Sequence, residues 1–256
     1  MGYNVLVLGC GPAGLIAAHA AATDPRVENV RILSKPRKSH MLGAQYLHEP
    51  IPSIKATEFQ IDYKLVGEVA VYREKVYGRQ WDGVVSPEDF IGKHPAWDIR
   101  DAYDDLWATY GPFVREYDVT PMGLKQTLEE LDPHITISTV PAPLLCAEGH
   151  HFASSTIWST DSAIQHTPEN TVICNGSWEN AWYRASTIQG YSNTEWPGNR
   201  KPPITPMWEV VKPLKTQCTC FPQVHRMGRY GKWEKGVLSH QAYKETIKAI
   251  DLHEAV

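Results

Sequence analysis

Chemistry is concentrated near the start of the chain, where Gly9-Cys10-Gly11-Pro12-Ala13-Gly14 carries the spacing GxGxxG. Gly9 permits a tight turn, Gly11 lets the backbone approach a pyrophosphate, and Gly14 lets a helix pack closely on a strand. Free amides in the first turn of that helix would then face the phosphates. A turn that merely connects two elements is the alternative. Cys218-Thr219-Cys220 invites a metal or redox reading. Its spacing is tighter than the usual zinc pairs and no second ligand pair follows it. His225 does not complete a set, and His150-His151 lacks a carboxylate partner at ligand spacing. No metal is expected.

The elements around the turn decide its meaning. Tyr3 to Leu8, with Val5, Leu6, Val7 and Leu8, reads as a strand buried on both faces. The alanine-rich run from Pro12 to about Thr23 reads as a helix with Pro12 tolerated in its first turn. Val30 to Leu33 supplies a second strand. A glycine motif set between strand and helix in a βαβ unit is a strong signal for a dinucleotide. The acid that usually bonds the adenosine ribose, about 20 residues on, is absent. Ser34 and Lys35 stand there instead. A serine hydroxyl can bond a ribose oxygen, and Lys35 or Arg37 could sit beside the adenosine end or accept a 2′-phosphate.

Bulk properties narrow the partners. At 256 residues, 42% hydrophobic and 21% charged, the chain has the composition of a globular protein with a sizeable core. A net charge of −4 gives no general attraction to nucleic acid or an anionic membrane, so DNA contact would need local basic patches. Lys35-Pro36-Arg37-Lys38 and the segment from Arg226 to Lys235 are the candidates, against the plainer reading of solvated faces. Five scattered cysteines are unlike a secreted disulfide framework and point to a reducing cytoplasm. The opening apolar stretch, broken by glycines and proline, is neither a signal peptide nor a membrane span.

The VLGxGPAG-like turn resembles the flavoprotein superfamily that shares the glutathione-reductase type of FAD-binding domain. Ile135 to Pro143, ITISTVPAP, resembles that family's strand closing beside the cofactor, at Pro141. VHRMGRYGKWEKGVLSHQAY resembles its glycine-aspartate motif at Gly228, with Arg229 where the aspartate is expected. The resemblance implies FAD held by Gly9, Gly11, Pro12, Ala13, Gly14, Ser34, Lys35, Gln45, Pro141, Gly228, Arg229, Gly236 and Val237. Amides of Gly236 and Val237 would open a terminal helix, with Leu238, Tyr243, Ile247 and Ile250 at helical spacing, toward the flavin O2 edge. That family's disulfide-reductase cysteine pair is missing here, which disfavours thiol reduction.

A closer resemblance spans almost the entire chain. GAQYLHEPIP, YREKVYG, AWDIRDAYDDLW, STVPAP, WYRAS, EWPGNRKPPI and GRYGKWEKGVLSH are similar to small FAD-binding flavoproteins of bacteriophages and some actinobacteria. That resemblance implies a cytoplasmic FAD-dependent oxidoreductase or lyase, in the host cytoplasm if phage-encoded. It further implies thymine hypermodification, a DNA modification in which a glycyl-modified thymine is cleaved to 5-aminomethyluracil and glyoxylate. A small-molecule amine oxidase or hydroxylase, and a non-catalytic flavin-binding module, are the alternatives.

The expected fold is α/β, a Rossmann-like FAD-binding domain with an inserted antiparallel β-rich substrate domain. The boundaries are 1–57, 93–148 and 214–256 for the first, and 58–92 and 149–213 for the second. Phe59 to Tyr77 reads as strands, Asp98 to Tyr110 and Lys125 to Leu131 as helices, and Ile135 to Thr139 as a strand. Phe152 to Thr160, Thr171 to Cys174 and Ala181 to Tyr191 read as strands, the last two joined around Asn175-Gly176, and Pro197 to Pro213 as a loop. There is no internal repeat and no second GxGxxG, so no separate nicotinamide domain of the reductase kind.

A flavin takes hydride from a carbon beside nitrogen or oxygen, and the protein must orient that carbon. An amino-acid-like substrate needs a cation for its carboxylate. Arg184 is the first candidate, aimed by strand alternation into a pocket with Trp182 while Tyr183 faces away. Pairing with a surface acid is the plainer alternative. His40, Gln45, Tyr46 and His48 follow the second strand, where the superfamily brings the chain under the isoalloxazine ring. His48 is the candidate base for an ammonium, and Tyr46 beside it is a further catalytic candidate. A histidine bonded to backbone is the competing reading, and Tyr230 and Lys232 are weaker candidates. Nine tryptophans and twelve tyrosines could stack a flipped base, though such residues also fill β-rich cores.

Overall fold

Val5 through Leu8 are buried on both faces because their strand runs through the centre of a parallel sheet. A computed structural model describes residues 2–37, 41, 45–79, 84–163 and 166–254. Strand β1 (Tyr3–Leu8) pairs in parallel with β2 (Val27–Ser34) on one side and β6 (Ile135–Ser138) on the other. β5 (Val114–Glu116) extends the sheet beyond β2, and β12 (Val224–Arg226) extends it beyond β6. Helix α1 (Pro12–Thr23) packs against this sheet, against α3 (Ile99–Tyr110) and against the terminal α6 (Gln241–Glu254). Being covered all round, it buries Gly14 through Ala21, and its alanines let the neighbouring helices approach closely.

A second sheet leaves the first at two points. Between β2 and β5 the chain adds β3 (Glu58–Gly67), α2 (Val69–Tyr77) and β4 (Gly92–Trp97). The helix α4 (Pro121–Leu131) then leads to β6, after which come β7 (Phe152–Thr160), β8 (Thr171–Gly176), β9 (Arg184–Ile188), β10 (Tyr191–Pro197) and β11 (Met207–Thr216). Their order is β11-β7-β10-β9-β8-β3-β4, antiparallel except for the parallel pair β3 and β8. The architecture is therefore mixed α/β, with a Rossmann-like parallel core and a mostly antiparallel inserted sheet. β4, to Trp97, and β11, to Thr216, are strands of the second sheet. Among the described residues no helix is long and apolar enough to cross a membrane.

Several local expectations are corrected. Only the first half of Phe59 to Tyr77 is strand. Gly67, at φ +79°, ends it, and Tyr72, Lys75 and Val76 are then buried at helical spacing. The expected strand from Ala181 to Tyr191 is two strands, folded at Gln189-Gly190, where both φ values are positive as a two-residue hairpin turn requires. β8 runs through Asn175-Gly176 rather than turning there. The expected loop from Pro197 to Pro213 contains most of β11. Pro213 is tolerated there because β11 is an edge strand with a register shift between Pro213 and Lys215. α4 begins a turn earlier than expected, at Pro121, where the Thr120 hydroxyl accepts from the Gly123 amide at 3.1 Å.

Lys75 closes the long connection between β8 and β9. Its buried ammonium donates to the carbonyls of Ser177, Asn180 and Trp182, the last two at 2.8 and 3.1 Å. Burial pulls its pKa down to about 8.

A Cβ on Gly14 would lie 2.0 Å from the Gly9 carbonyl oxygen, so α1 approaches β1 only because residue 14 has no side chain. Gly14→Ala is expected to destabilise the fold by about 1–3 kcal/mol through forced separation of strand and helix. Urea unfolding checks this, with Gly11→Ala as the comparison, since nothing lies within 4 Å of a Cβ there.

Candidate cofactor and substrate site

Backbone and side-chain contacts hold the glycine turn at the carboxyl end of β1. The Cys10 amide donates to the Ser34 hydroxyl at 3.0 Å, and the Tyr103 hydroxyl donates to the Cys10 carbonyl at 2.7 Å. Thr139, just past β6, leans over the turn and donates to the Leu8 carbonyl at 3.1 Å. Its Oγ1 would meet a Cβ on Gly9 at 2.6 Å, where φ is +102°. Gly11 by contrast faces open space. α1 has neither a side-chain cap nor an acidic residue in its first turn, so no carboxylate competes for its leading amides beside Pro12 and Ala13. Such a cradle fits a pyrophosphate.

Ser34 is buried and its oxygen serves the turn. Lys35 pairs with Asp118 at 2.9 Å, while Arg37 pairs with Asp104 and lies over the Tyr103 and Trp107 rings at 4.6 and 5.2 Å. Lys38 and His40 fall outside the described residues. Pro141 leads into a short 3-10 turn at Ala142–Leu145, directly after Thr139 and Val140.

The C-terminal motif returns to this turn. Gly228 opens the short helix α5 (Gly228–Lys232), and a Cβ there would come 2.8 Å from the Ala13 Cβ. Gly231 sits against the Ser138 carbonyl, at 2.5 Å from a built Cβ. Gly236 and Val237, expected to open the terminal helix, do not. α6 starts at Gln241, and the intervening turn uses the Gln241 side chain to accept from the Leu238 amide at 2.9 Å. Tyr230 and Lys232 are occupied structurally, Tyr230 donating to the Val211 carbonyl at 2.9 Å and Lys232 pairing with Glu245 at 2.5 Å.

Across from α5, the inserted sheet buries a charged centre. Arg184 and Lys212 both contact Glu195, at 2.7 and 2.8 Å. Arg184 thus pairs with an acid, though a buried one rather than one on the surface. Glu195 is 2% exposed. Burial alone would raise its carboxyl, but the Arg184 guanidinium and the Lys212 ammonium outweigh it and hold the pKa down to about 2. Burial likewise pulls Lys212 down to about 8 against the pull of Glu195. Arg229 of α5 lies close enough to depress Lys212 further. Arg184 and Lys212 thus share one carboxylate with Arg229 near Lys212, and the buried Nε atoms of Arg184 and Arg229, like the Glu195 Oε2, make no hydrogen bond among the described residues. Such a centre accommodates an anion.

Tyr183, not Trp182, shares this side. It joins Tyr72, Cys174 and Ile188 in one cluster, while Trp182 packs with Ile173, Ala185 and Trp196 in another. Strand regularity begins only at Arg184, so alternation cannot be extended back over the two aromatic residues.

Tyr46 bonds the Tyr63 hydroxyl, and burial and that neighbour push its pKa up, so it keeps its proton and can serve as a hydrogen-bond donor rather than a base. Its ring lies 4.8 Å from His48, which lies 5.9 Å from His240. Burial, then His240 and His94, hold the His48 pKa below the usual imidazole value, and burial does the same to His240. Both rings are therefore neutral at pH 7. Gln45 stands next to Tyr46 and is half-buried.

Glu195, Lys212, Tyr63 and His240 were missed from the sequence. Lys212 lies in the stretch read as a loop and Glu195 just before it, but Ser239-His240, immediately ahead of the terminal helix, was a findable signal. The cysteine reading is also corrected. The second ligand pair does not follow Cys218 and Cys220. Cys146 and His150 precede them by some 70 residues and fold beside them, and His150 has Glu148 as a carboxylate partner at 3.3 Å.

No protein-family model and no curated protein matches the chain. Solved structures do. The 2,6-dihydroxypyridine-3-hydroxylase of Arthrobacter nicotinovorans superposes with a TM-score of 0.54 at 11% identity, over 99% of this chain and 84% of that one. The oxygenase MHPCO gives 0.53 at 12% identity, over 99% and 82%. A flavin-dependent halogenase from Xanthomonas campestris gives 0.54 at 8% identity, over 98% and 71%. At such identities the similarity establishes the fold alone.

Glu195→Ala is expected to cost about 3–5 kcal/mol, because Arg184 and Lys212 would be left buried without their counter-charge. Since its pKa is depressed, the stability Glu195 contributes is fully present above its ordinary value of 4.5 and lost as pH falls toward about 2. Acid-unfolding curves of the wild type and the variant should therefore converge in that window. Parallel curves would remove Glu195 from the account.

Proposed function

We propose that the chain is an FAD-dependent oxidoreductase that oxidises a carbon–nitrogen bond in an anionic, amino-acid-like substrate. One observation carries the reading: the buried cationic centre of Arg184, Lys212 and Arg229 stands beside the segment that closes on the glycine turn. Gly9, Gly11, Pro12, Ala13 and Gly14 would hold the pyrophosphate, Ser34 and Lys35 would flank the adenosine half, and Pro141, Gly228 and Arg229 would flank the flavin half. The halogenase of similar fold is flavin-dependent by name, which supports that choice of dinucleotide.

When bound, the flavin supplies a hydride acceptor. The chain supplies the rest. Arg184, with its free Nε, takes the substrate carboxylate and fixes the neighbouring carbon. His48, neutral at pH 7, removes a proton from the substrate ammonium, because only the free amine readily gives up hydride. Tyr46 and Tyr63 stay protonated and donate hydrogen bonds along the path between His48 and Arg184.

The finer reading is a glycyl-modified thymine in phage DNA. Loss of hydride and a proton from the glycine carbon and nitrogen gives an imine, and water then releases glyoxylate and leaves 5-aminomethyluracil. On DNA the base must be flipped or single-stranded. A small-molecule amine oxidase or hydroxylase is the second reading, favoured by the basic runs, whose Lys35, Arg37, Arg226 and Lys232 all take intramolecular partners.

The absorption spectrum of purified protein tests the cofactor. Flavin bands with extractable FAD are expected, and a colourless protein that binds NADP would overturn the reading. Anaerobic bleaching by glycyl-modified DNA, with a salt-sensitive DNA shift, selects the first substrate. Bleaching by a free amine or NADPH without DNA binding selects the second, and no bleaching by any of them leaves a binding module. Arg184→Gln should raise KM for the carboxylate substrate roughly 10- to 100-fold at unchanged flavin content, the worth of one charged hydrogen bond. An unchanged KM would remove Arg184 from the carboxylate site.

A further inference from the structure

The chain crosses from the parallel core to the inserted sheet after the 3-10 turn at Ala142–Leu145, and it returns between β11 and β12. Both crossings carry thiols. Cys146 and His150 lie on the outgoing segment, and Cys218 and Cys220 lie on the returning one. Their ligand atoms all fall within 4.8 Å of one another. We propose that Cys146, His150, Cys218 and Cys220 form a structural zinc site that staples the outgoing and returning segments of the inserted sheet together.

The geometry matches the ion. The His150 Nδ1 lies 3.5 Å from the Cys146 sulfur and 3.6 Å from the Cys220 sulfur. With Zn–S near 2.3 Å and Zn–N near 2.05 Å, the sulfur–nitrogen edge of a tetrahedron is about 3.6 Å. Three thiolates and one imidazole are a soft set that favours zinc over harder ions. Four protein ligands leave no open position, so the site is structural rather than catalytic.

Outer contacts are those a metal site uses. With Nδ1 turned to the sulfurs, His150 places Nε2 3.3 Å from the Glu148 carboxylate, which fixes the ring orientation. The His150 amide donates to the Cys146 sulfur at 3.2 Å. Arg226 donates to the carbonyls of Cys218 and Cys220 at 3.2 and 2.7 Å and lies 3.5 Å from the Cys218 sulfur. Three thiolates around a divalent ion leave one negative charge, which Arg226 balances. The paired ends of β7 and β11, Phe152 opposite Thr216, deliver both segments to the same place. A disulfide would use only two of the thiols and would leave the imidazole without a purpose.

Untagged protein, purified without chelator, should carry about one zinc per chain by mass spectrometry of the metals. A mercurial reagent should release that zinc as the thiols titrate. Cys146→Ser and Cys218→Ser should lose it, Glu148→Ala should weaken it about tenfold, and His151→Ala should keep it. If the serine variants do not fold, wild-type protein stripped and refilled with cobalt should show the visible bands of a tetrahedral cobalt thiolate. Metal-free protein whose thiols react freely while folded, a cysteine disulfide, or cobalt without thiolate bands would overturn the proposal. The metal count is independent of flavin content, so this site and the flavin reading fail separately.

Discussion

The close approach of α1 to β1 is the contact on which the rest is built. Residue 14 must lack a side chain because the Gly9 carbonyl occupies the space a Cβ would need. Two remote segments then press on the same few atoms, Thr139 over Gly9 and Gly228 over Ala13. Each tolerates only small groups at the contact. The turn is thus clamped from three directions, while Gly11 alone keeps open space in front of it. A rigid rim around an open position is what preorganised binding of an anion requires.

The inserted sheet meets this clamp through charge rather than shape. Burying Arg184, Glu195 and Lys212 costs desolvation, and well-packed apolar side chains of similar volume would be as stable there, so the triad is poorly suited to be a device for stability. Its excess of cations and its unpartnered donors make more sense as a place prepared for a negative group. Arg229 contributes to both regions, standing on α5 beside the glycine turn and within electrostatic reach of Lys212. Arg229 stands where the sequence resemblance leads one to expect an aspartate, so this position donates hydrogen bonds rather than accepting them.

Insertion of one sheet into another makes the chain cross out between β6 and β7 and back between β11 and β12. The cysteine and histidine cluster lies where those crossings pass each other, at the end of the β7 and β11 ribbon. Lys75 performs a comparable task inside the inserted sheet, gathering backbone carbonyls of the β8 to β9 connection around one ammonium.

Local features read directly from the sequence were those whose cause is local. The β1-turn-α1 unit, the helix at Ile99–Tyr110 and the strand at Phe152–Thr160 follow from periodicity, glycine placement and capping within a dozen residues. The expected strand over Val69–Tyr77 is a helix and the expected loop from Pro197 to Pro213 holds most of β11, because burial against distant partners and an edge position outweighed propensity. Glycine turn, Arg184 and His48 were visible as residue types with a chemical use. Only the tertiary structure decided that Arg184 faces Glu195 and Lys212, that Tyr183 rather than Trp182 shares its side, and that His48 has His240 beside it. Spacing along a chain cannot report a contact across 70 residues, which is why Cys218 and Cys220 looked incomplete without Cys146 and His150.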